Sequence, residues 1–155
     1  MSIVSPEHLA FLRGVRRAVL ATASAFGRPR QVPICFAVVE GGDGAILYSP
    51  LDEKPKRSSD PHDLARVGDL TDRPQVSLLA DRWDEDWTRL AWLRIDATAS
   101  VVEPGEPEHD QAIAALRVRY GQYRTQQLEV CPLIRLEPTR AVWWSGADGS
   151  APPDR

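Results

Sequence analysis

The chain has 155 residues, of which 43% are apolar, and a formal net charge of −3. This is the size and composition of one globular domain, and the negative charge argues against a general attraction to nucleic acid or to an anionic membrane. No apolar run approaches the roughly 20 residues that span a bilayer, and the N-terminus lacks the basic start and apolar core of a signal peptide. We therefore expect a soluble, cytoplasmic protein.

The first third of the sequence predicts one helix and an antiparallel meander. Ser5 before Pro6 is typical of a helix start, and the helix is predicted to run to about Arg13. Three β-prone segments follow, at residues 17–24, at 30–40 ("RQVPICFAVVE") and at 45–49 ("AILYS"). Proline cannot donate to a strand ladder, so Pro33 in the second segment indicates an edge, a bulge or a ligand-facing position.

The rest of the sequence predicts two more helices and four more strands. Asp60 and Pro61 are typical of an N-cap and first helical position, and Ile113, Leu116 and Tyr120 form the apolar stripe of a later helix. The predicted strands are "QVSLLAD", "LAWLRIDATASVV", "PLIRLEP" and "TRAVWWSG". Because strands come in hairpins rather than in β-α-β alternation, we predict a mainly β fold, an antiparallel barrel with about three peripheral helices. Residues 5–145 form its single domain, and 146–155 are predicted to be a disordered tail.

The segment "DEKPKR" places three basic side chains directly after the third predicted strand. Lysine suits phosphate as a point charge, and arginine binds it with two hydrogen bonds. Ser49 at the strand end offers a hydroxyl, and the amides of the next helix add donors. Lys54, Lys56 and Arg57 therefore indicate a phosphate site. The alternative is a solvated loop whose positive charges are neutralised by the two acidic residues before them.

Other chemically notable residues lack a recognisable catalytic or metal-binding pattern. Cys35 and Cys131 form no C-x-x-C pair, and the histidines lack zinc-ligand spacing. The acidic residues 81–86 do not follow the pattern of a calcium loop, and nucleotide-binding and nucleophile motifs are absent. Trp83 and Trp87, beside a polar loop, fit either a flat ring ligand or a dimer interface. We therefore predict no metal site and name no catalytic residue.

The order of these segments resembles the pyridoxamine 5′-phosphate oxidase-like split β-barrel superfamily, and most of all its actinobacterial F420-dependent branch. The resemblance rests on the meander, "ILYS", "DEKPKR", "QVSLLAD" and "WLRIDATA", in that order. It implies a homodimer with two cofactor sites at the interface, holding FMN or the deazaflavin coenzyme F420; some relatives bind haem. "TRAVWWSG" gives no convincing match to the Trp-and-Arg pair of the true oxidases, which argues against oxidation of a vitamin B6 phosphate.

The resemblance also assigns individual residues to the cofactor. It implies that Lys54 and Lys56, with Arg57 as an added candidate, hold the phosphate, and that Ser49 is the small hydroxyl residue at the strand end. The flavin-like ring is implied to lie against Pro33, Ile34, Cys35 and Phe36. Trp87 and Trp92 are implied to lie where the partner chain approaches the ring.

Three functions follow as alternatives. The first is hydride transfer between F420, or alternatively FMN, and a small substrate, with the cofactor supplying the chemistry. The second is a carrier module that binds flavin, F420 or haem without turnover. The third is an interaction domain without a cofactor, in which the basic loop is only a solvated surface.

Overall fold

The computed structural model describes residues 2–52 and 60–152. These residues form three α-helices and seven strands, joined by short 3₁₀ turns. The helices are α1 (Pro6–Gly14), α2 (Ala65–Asp72) and α3 (Pro107–Arg119). The strands are β1 (Ala18–Ala23), β2 (Pro29–Ile34), β3 (Ala37–Gly41), β4 (Gly44–Pro50), β5 (Gln75–Arg82), β6 (Ala91–Val102) and β7 (Leu133–Ser145). The mainly β class with peripheral helices is confirmed.

The start of α1 follows from its capping residues. The Oγ of Ser5 accepts a hydrogen bond from the backbone N–H of His8, and Nδ1 of His8 accepts one from the N–H of Ser5. This reciprocal pair satisfies two donors that a helix start leaves open. Pro6 occupies the first helical turn, where its missing N–H costs nothing. The predicted first helix is therefore confirmed.

All seven strands pair antiparallel in one sheet, in the order β2-β1-β5-β6-β7-β4-β3. The two outermost strands, β2 and β3, are consecutive in the chain and separated only by Cys35 and Phe36. Consecutive Cα atoms lie about 3.8 Å apart, so this short step holds the two edges of the sheet close together. The sheet therefore curls into a barrel that is open along one seam, which is a split β-barrel.

Two strand predictions differ from the structure in opposite directions. The single strand predicted over 30–40 is two strands, because the chain leaves the β1 edge after Ile34 and joins β4 from Ala37 onward. The two strands predicted at the C-terminal end are one strand, β7. A register shift opposite Asp96 and Ala97 lets β7 pass Pro138 without losing its pairing with β6. The total of seven strands was correct because the two errors cancel.

The helix predicted from Pro61 also begins later than expected. Asp60 does cap a turn there, accepting from the N–H of His62, but this turn is a 3₁₀ helix that ends at Asp63. Leu64 has an extended backbone, with ψ of 135°, and α2 begins only at Ala65. A 3₁₀ turn at Pro61–Asp63 therefore precedes α2.

The interior of the barrel is apolar. Its largest fully buried side chains include Phe36, Leu20, Leu47, Leu78 and Ile95, which come from five different parts of the chain. A smaller cluster packs α3 against the outside of β3 and β4. Across the described ranges, no helix is long and apolar enough to cross a membrane.

Candidate functional site: a cavity at the open seam

A cavity of about 260 Å³ lies where the end of β2, the end of β4 and the start of α2 come together. Four of the residues that the resemblance assigned to the cofactor line it: Pro33, Ile34, Cys35 and Ser49. Pro33 and Ile34 come from β2 at one edge of the sheet order, Cys35 directly follows β2, and Ser49 comes from β4, next to the other edge. The cavity exists because the barrel is split at this seam.

Pro33 lies on an edge strand, one of the three kinds of position that its chemistry indicated. β2 pairs with β1 on one side, where Pro33 is opposite Val19, and pairs with no described strand on the other. Because proline has no N–H, its presence here removes no hydrogen bond that a second strand would need. Of the edge, bulge and ligand-facing positions that the sequence left open for Pro33, the structure shows an edge, and this side of β2 is open toward the cavity.

Arg66 brings a half-buried positive charge to the cavity. It is the second residue of α2, and its Nε is buried without a hydrogen-bond acceptor among residues 2–52 and 60–152. Burial lowers the pKa of the Arg66 guanidinium, an effect that the nearby carboxylate of Asp52 opposes. A buried donor without an acceptor costs about 1–3 kcal/mol. This donor therefore marks where an acceptor group of a ligand would be most favourable.

Tyr123 and Asp52 complete the polar wall. The Tyr123 hydroxyl donates a 2.7 Å hydrogen bond to Oδ2 of Asp52, and both side chains are buried. Burial, together with Asp52 and Cys35 beside the phenol, raises the pKa of Tyr123. Tyr123 therefore stays a neutral donor, while the carboxylate of Asp52 attracts Arg66 across the cavity. The site combines a cation, an anion, a phenol, a thiol and an apolar strand.

The three basic residues predicted to hold phosphate, Lys54, Lys56 and Arg57, lie outside the described residues. Asp52, the last described residue before them, and Leu64, shortly after them, both line the cavity. The predicted phosphate site thus remains a prediction, with both flanks of its segment at the cavity.

The other three predicted residues lie away from the cavity in the single chain. Phe36 is fully buried in the barrel core, and its N–H donates to the hydroxyl of Tyr120. Trp87 is 70% exposed and begins a 3₁₀ turn before β6. Trp92 lies on β6, directly opposite Trp144 of β7. Their roles toward a ligand stay predictions, and for the tryptophans they require a second chain.

Sequence reasoning did not select three residues that line the cavity: Asp52, Arg66 and Tyr123. Tyr123 is 71 positions from the aspartate it contacts, and no local pattern relates two residues so far apart. Only the packing of the turn after α3 against the end of β4 identifies the pair.

The fold and the cavity define the class, a split β-barrel with a ligand-sized opening at its seam. The sequence model of the pyridoxamine 5′-phosphate oxidase family matches residues 4–145, nearly the whole chain. The protein belongs to the pyridoxamine 5′-phosphate oxidase family.

Several solved structures share this fold. The conserved hypothetical protein Rv2991 from Mycobacterium tuberculosis is 20% identical with a TM-score of 0.73, covering 100% of this chain and 91% of its own. The haem storage protein HutZ from Vibrio cholerae is 24% identical with a TM-score of 0.64. The match covers 94% of this chain and 95% of the HutZ chain. A FAD-binding protein from Mesorhizobium loti is 16% identical with a TM-score of 0.61, covering 87% of each chain. No curated protein sequence matches the chain.

Proposed function

We propose that the seam cavity binds a flavin-type cofactor, coenzyme F420 or alternatively FMN, and that the protein is an oxidoreductase. The observation that carries this proposal is the buried, unsatisfied Nε of Arg66 in a cavity that also contains four independently assigned residues. Phosphate and carboxylate oxygens, as well as ring carbonyls, accept hydrogen bonds from a guanidinium. The similarity to a FAD-binding protein supports a cofactor of this class.

The residues present fit such a cofactor. Pro33, Ile34 and Cys35 offer an edge-strand wall for a flat ring. Ser49 and Arg66 supply a hydroxyl and a cation, and Lys54 and Lys56 follow in the chain for the phosphate. The bound cofactor supplies hydride transfer to or from a small substrate. The chain binds and orients the cofactor, and the carboxylate of Asp52, held by Tyr123, attracts the guanidinium of Arg66.

A titration of the full chain with FMN and with F420 tests the proposal. We expect binding of at least one cofactor, and Arg66→Gln should weaken it by about 1.5–3 kcal/mol, as for a lost charge-assisted bond. The double variant Lys54→Ala and Lys56→Ala should weaken cofactor binding by about 1.5–3 kcal/mol for each phosphate contact that is lost. Arg28→Gln is the matched control, because Arg28 lies in the exposed turn before β2. Failure of the wild-type chain to bind either cofactor would remove the proposal.

The alternative function is a carrier that binds a flavin, F420 or haem without turnover. The structural similarity to a haem storage protein is the observation that favours it. The two functions differ in one measurable respect, transfer of hydride from the reduced cofactor to an acceptor. If the reduced F420 or FMN is oxidised when a quinone or an enone is added, as measured by the absorbance of the cofactor, the result supports the oxidoreductase. Tight binding without oxidation by any acceptor supports the carrier.

We further propose that the protein is a homodimer through the outer face of the sheet. A row of directly paired residues crosses five strands on this face, in the order Pro33, Val19, Leu79, Arg94 and Val142. Leu79 is 42% exposed. Nε of Arg94 has no hydrogen-bond acceptor in the described part of the chain, although it lies 3.6 Å from Oδ1 of Asp96 in an ion pair. A largely apolar stripe with a cation beside its centre fits a second copy of the chain.

Light scattering of the purified protein tests this assembly. We expect a dimer for the wild type and a shift toward monomer for Leu79→Lys, because a charge in the centre of the contact is costly to bury. Val118→Lys is the control, since Val118 is 83% exposed on α3 and lies outside this face. A monomeric wild type would overturn the assembly and, with it, the predicted approach of Trp87 and Trp92 to the ring.

A further inference from the structure

A second ligand-sized depression, of about 500 Å³, lies between the end of α1, the start of β1 and the end of β5. We name it the arginine groove, after its three arginines. Its lining includes Phe11, Arg16, Arg17, Arg82 and Trp83. None of these residues lines the seam cavity.

The positive charges of this groove are not neutralised by ion pairs. Arg16, Arg17 and Arg82 form no salt bridge with any carboxylate in residues 2–52 and 60–152. One acidic residue, Asp81, also lines the groove and leaves two positive charges in excess. In a chain of net charge −3, this is an unusual concentration of uncompensated cations.

Two of these arginines are held in place by backbone carbonyls instead. Arg16 donates through Nη2 to the carbonyl of Arg119 at 2.6 Å and stacks over the ring of Tyr120 at 4.8 Å. Arg82 donates through Nε to the carbonyl of Arg89 at 2.8 Å. Carbonyl anchors fix a guanidinium without cancelling its charge, so the remaining N–H groups stay directed and cationic.

The same groove has an aromatic wall. Trp83 is 68% exposed, which leaves a large apolar ring in water beside the arginines. An indole face with a guanidinium nearby suits a flat ring that carries a negative charge, because the ring stacks while the anion is bound by hydrogen bonds. Arg17, which makes no hydrogen bond or ion pair with another described residue, is the side chain available for that anion.

We propose that the arginine groove is a binding site for a planar aromatic anion of the arylcarboxylate class. Trp83 stacks on the ring, and Arg17, supported by Arg16 and Arg82, binds the carboxylate. Arg17 directly precedes Ala18, which pairs with Ile34 of the cavity wall. This position favours a substrate as the ligand, a role that rests on the proposed function, whereas the binding itself does not.

The test is a nuclear magnetic resonance titration of the ¹⁵N-labelled full chain with indole-3-acetate, and with indole-3-acetamide as the uncharged match. The Trp83 indole N–H signal is identified by its loss in Trp83→Phe. We expect a saturable shift of this signal with the acid, and an affinity for the amide at least about fivefold weaker. Equal affinities for the acid and the amide would overturn the proposal.

Variants locate the anion contact. Arg17→Gln is expected to weaken indole-3-acetate binding about five- to tenfold, the range of an exposed charge-assisted contact, and Arg28→Gln to leave it unchanged. An unchanged affinity in Arg17→Gln would overturn the assignment. FMN titration of Arg17→Gln separates the two sites, because the seam cavity does not include this residue. If the wild type binds neither FMN nor F420 but binds the acid at Trp83, the proposed function fails and the groove stands.

Discussion

The hydroxyl of Tyr123 donates a 2.7 Å hydrogen bond to Oδ2 of Asp52, across 71 positions of sequence. Tyr123 is 3% exposed and Asp52 is 6% exposed, so the bond lies in the interior at the wall of the seam cavity. A buried carboxylate requires polar partners to offset its lost hydration. The pair therefore fixes the turn after α3 to the end of β4, and with it the wall that faces Arg66.

Replacing Tyr123 by Phe should lower the free energy of unfolding by about 1–3 kcal/mol, the range for removing a partner from a buried polar group. Urea denaturation measures this change. Tyr48→Phe is the matched control, because Tyr48 donates to Glu108 of α3 and does not line the seam cavity. Both variants should be less stable, but only Tyr123→Phe should also weaken cofactor binding. A Tyr123→Phe protein that unfolds at the wild-type urea concentration would show that the bond contributes nothing.

The buried Asp69 offers a second test of internal polar pairing. Thr22 of β1 donates through Oγ1 to Oδ2 of Asp69 in α2 at 2.8 Å, and both residues are buried. Thr22→Val keeps the shape of the side chain and removes the donor, so we expect a loss of about 1–2 kcal/mol of stability. Thr98→Val, on the exposed side of β6, should change stability by less than about 0.5 kcal/mol. Equal effects of the two substitutions in calorimetry would contradict this account.

Replacing glycine by alanine should change the stability of the protein in opposite directions at two positions, Gly146 and Gly68. A Cβ at Gly146 would lie 2.2 Å from the backbone carbonyl oxygen of Trp87, so Gly146→Ala must displace one of the two turns and should lower the melting temperature. Gly68 lies inside α2 with no atom within 4 Å of a Cβ. Gly68→Ala should therefore stabilise the helix by about 0.5–1 kcal/mol. The two melting temperatures, measured side by side, check the sign of each effect.

The pH dependence of stability should include a contribution from His62. Its Nδ1 lies 2.8 Å from Oδ1 of Asp60 and its Nε2 lies 2.6 Å from Oε1 of Glu103, and these carboxylates raise the pKa of His62. Because the folded-state pKa is the higher one, the stabilisation is fully present below about pH 6.5, the usual value, and is lost as the pH rises through the raised pKa.

The contribution of His62 is small because its imidazole and both carboxylates are exposed to solvent. We expect the difference in melting temperature between wild type and His62→Gln to be larger at pH 6 than at pH 9. A difference that stays constant over this range would rule out the ionised pair. Measurements in 0.5 M salt should reduce the effect, since exposed charges are screened.

Local sequence patterns were sufficient for most elements of the fold. Ser5 and Pro6 identified α1, and the segment predicted as the strand "LAWLRIDATASVV" is β6, whose burial alternates along the strand. These succeeded because capping and period-two burial depend on neighbouring residues alone. The step at Cys35 and Phe36 was missed because nothing local shows that the chain changes partners there. Its cause is the closure of the barrel, which sends β2 and β3 to opposite ends of the strand order.

The sequence by itself determined the class of fold, and through a family resemblance it grouped Pro33, Ile34, Cys35 and Ser49, which line one cavity. The tertiary structure decided which distant side chains join them. Asp52, Arg66 and Tyr123 meet at the cavity because the turn after α3 and the start of α2 pack against the end of β4. Hydrogen-bonding and charge partners of this kind are selected by proximity in space, and proximity between segments so far apart in the chain is set only when the whole sheet has closed.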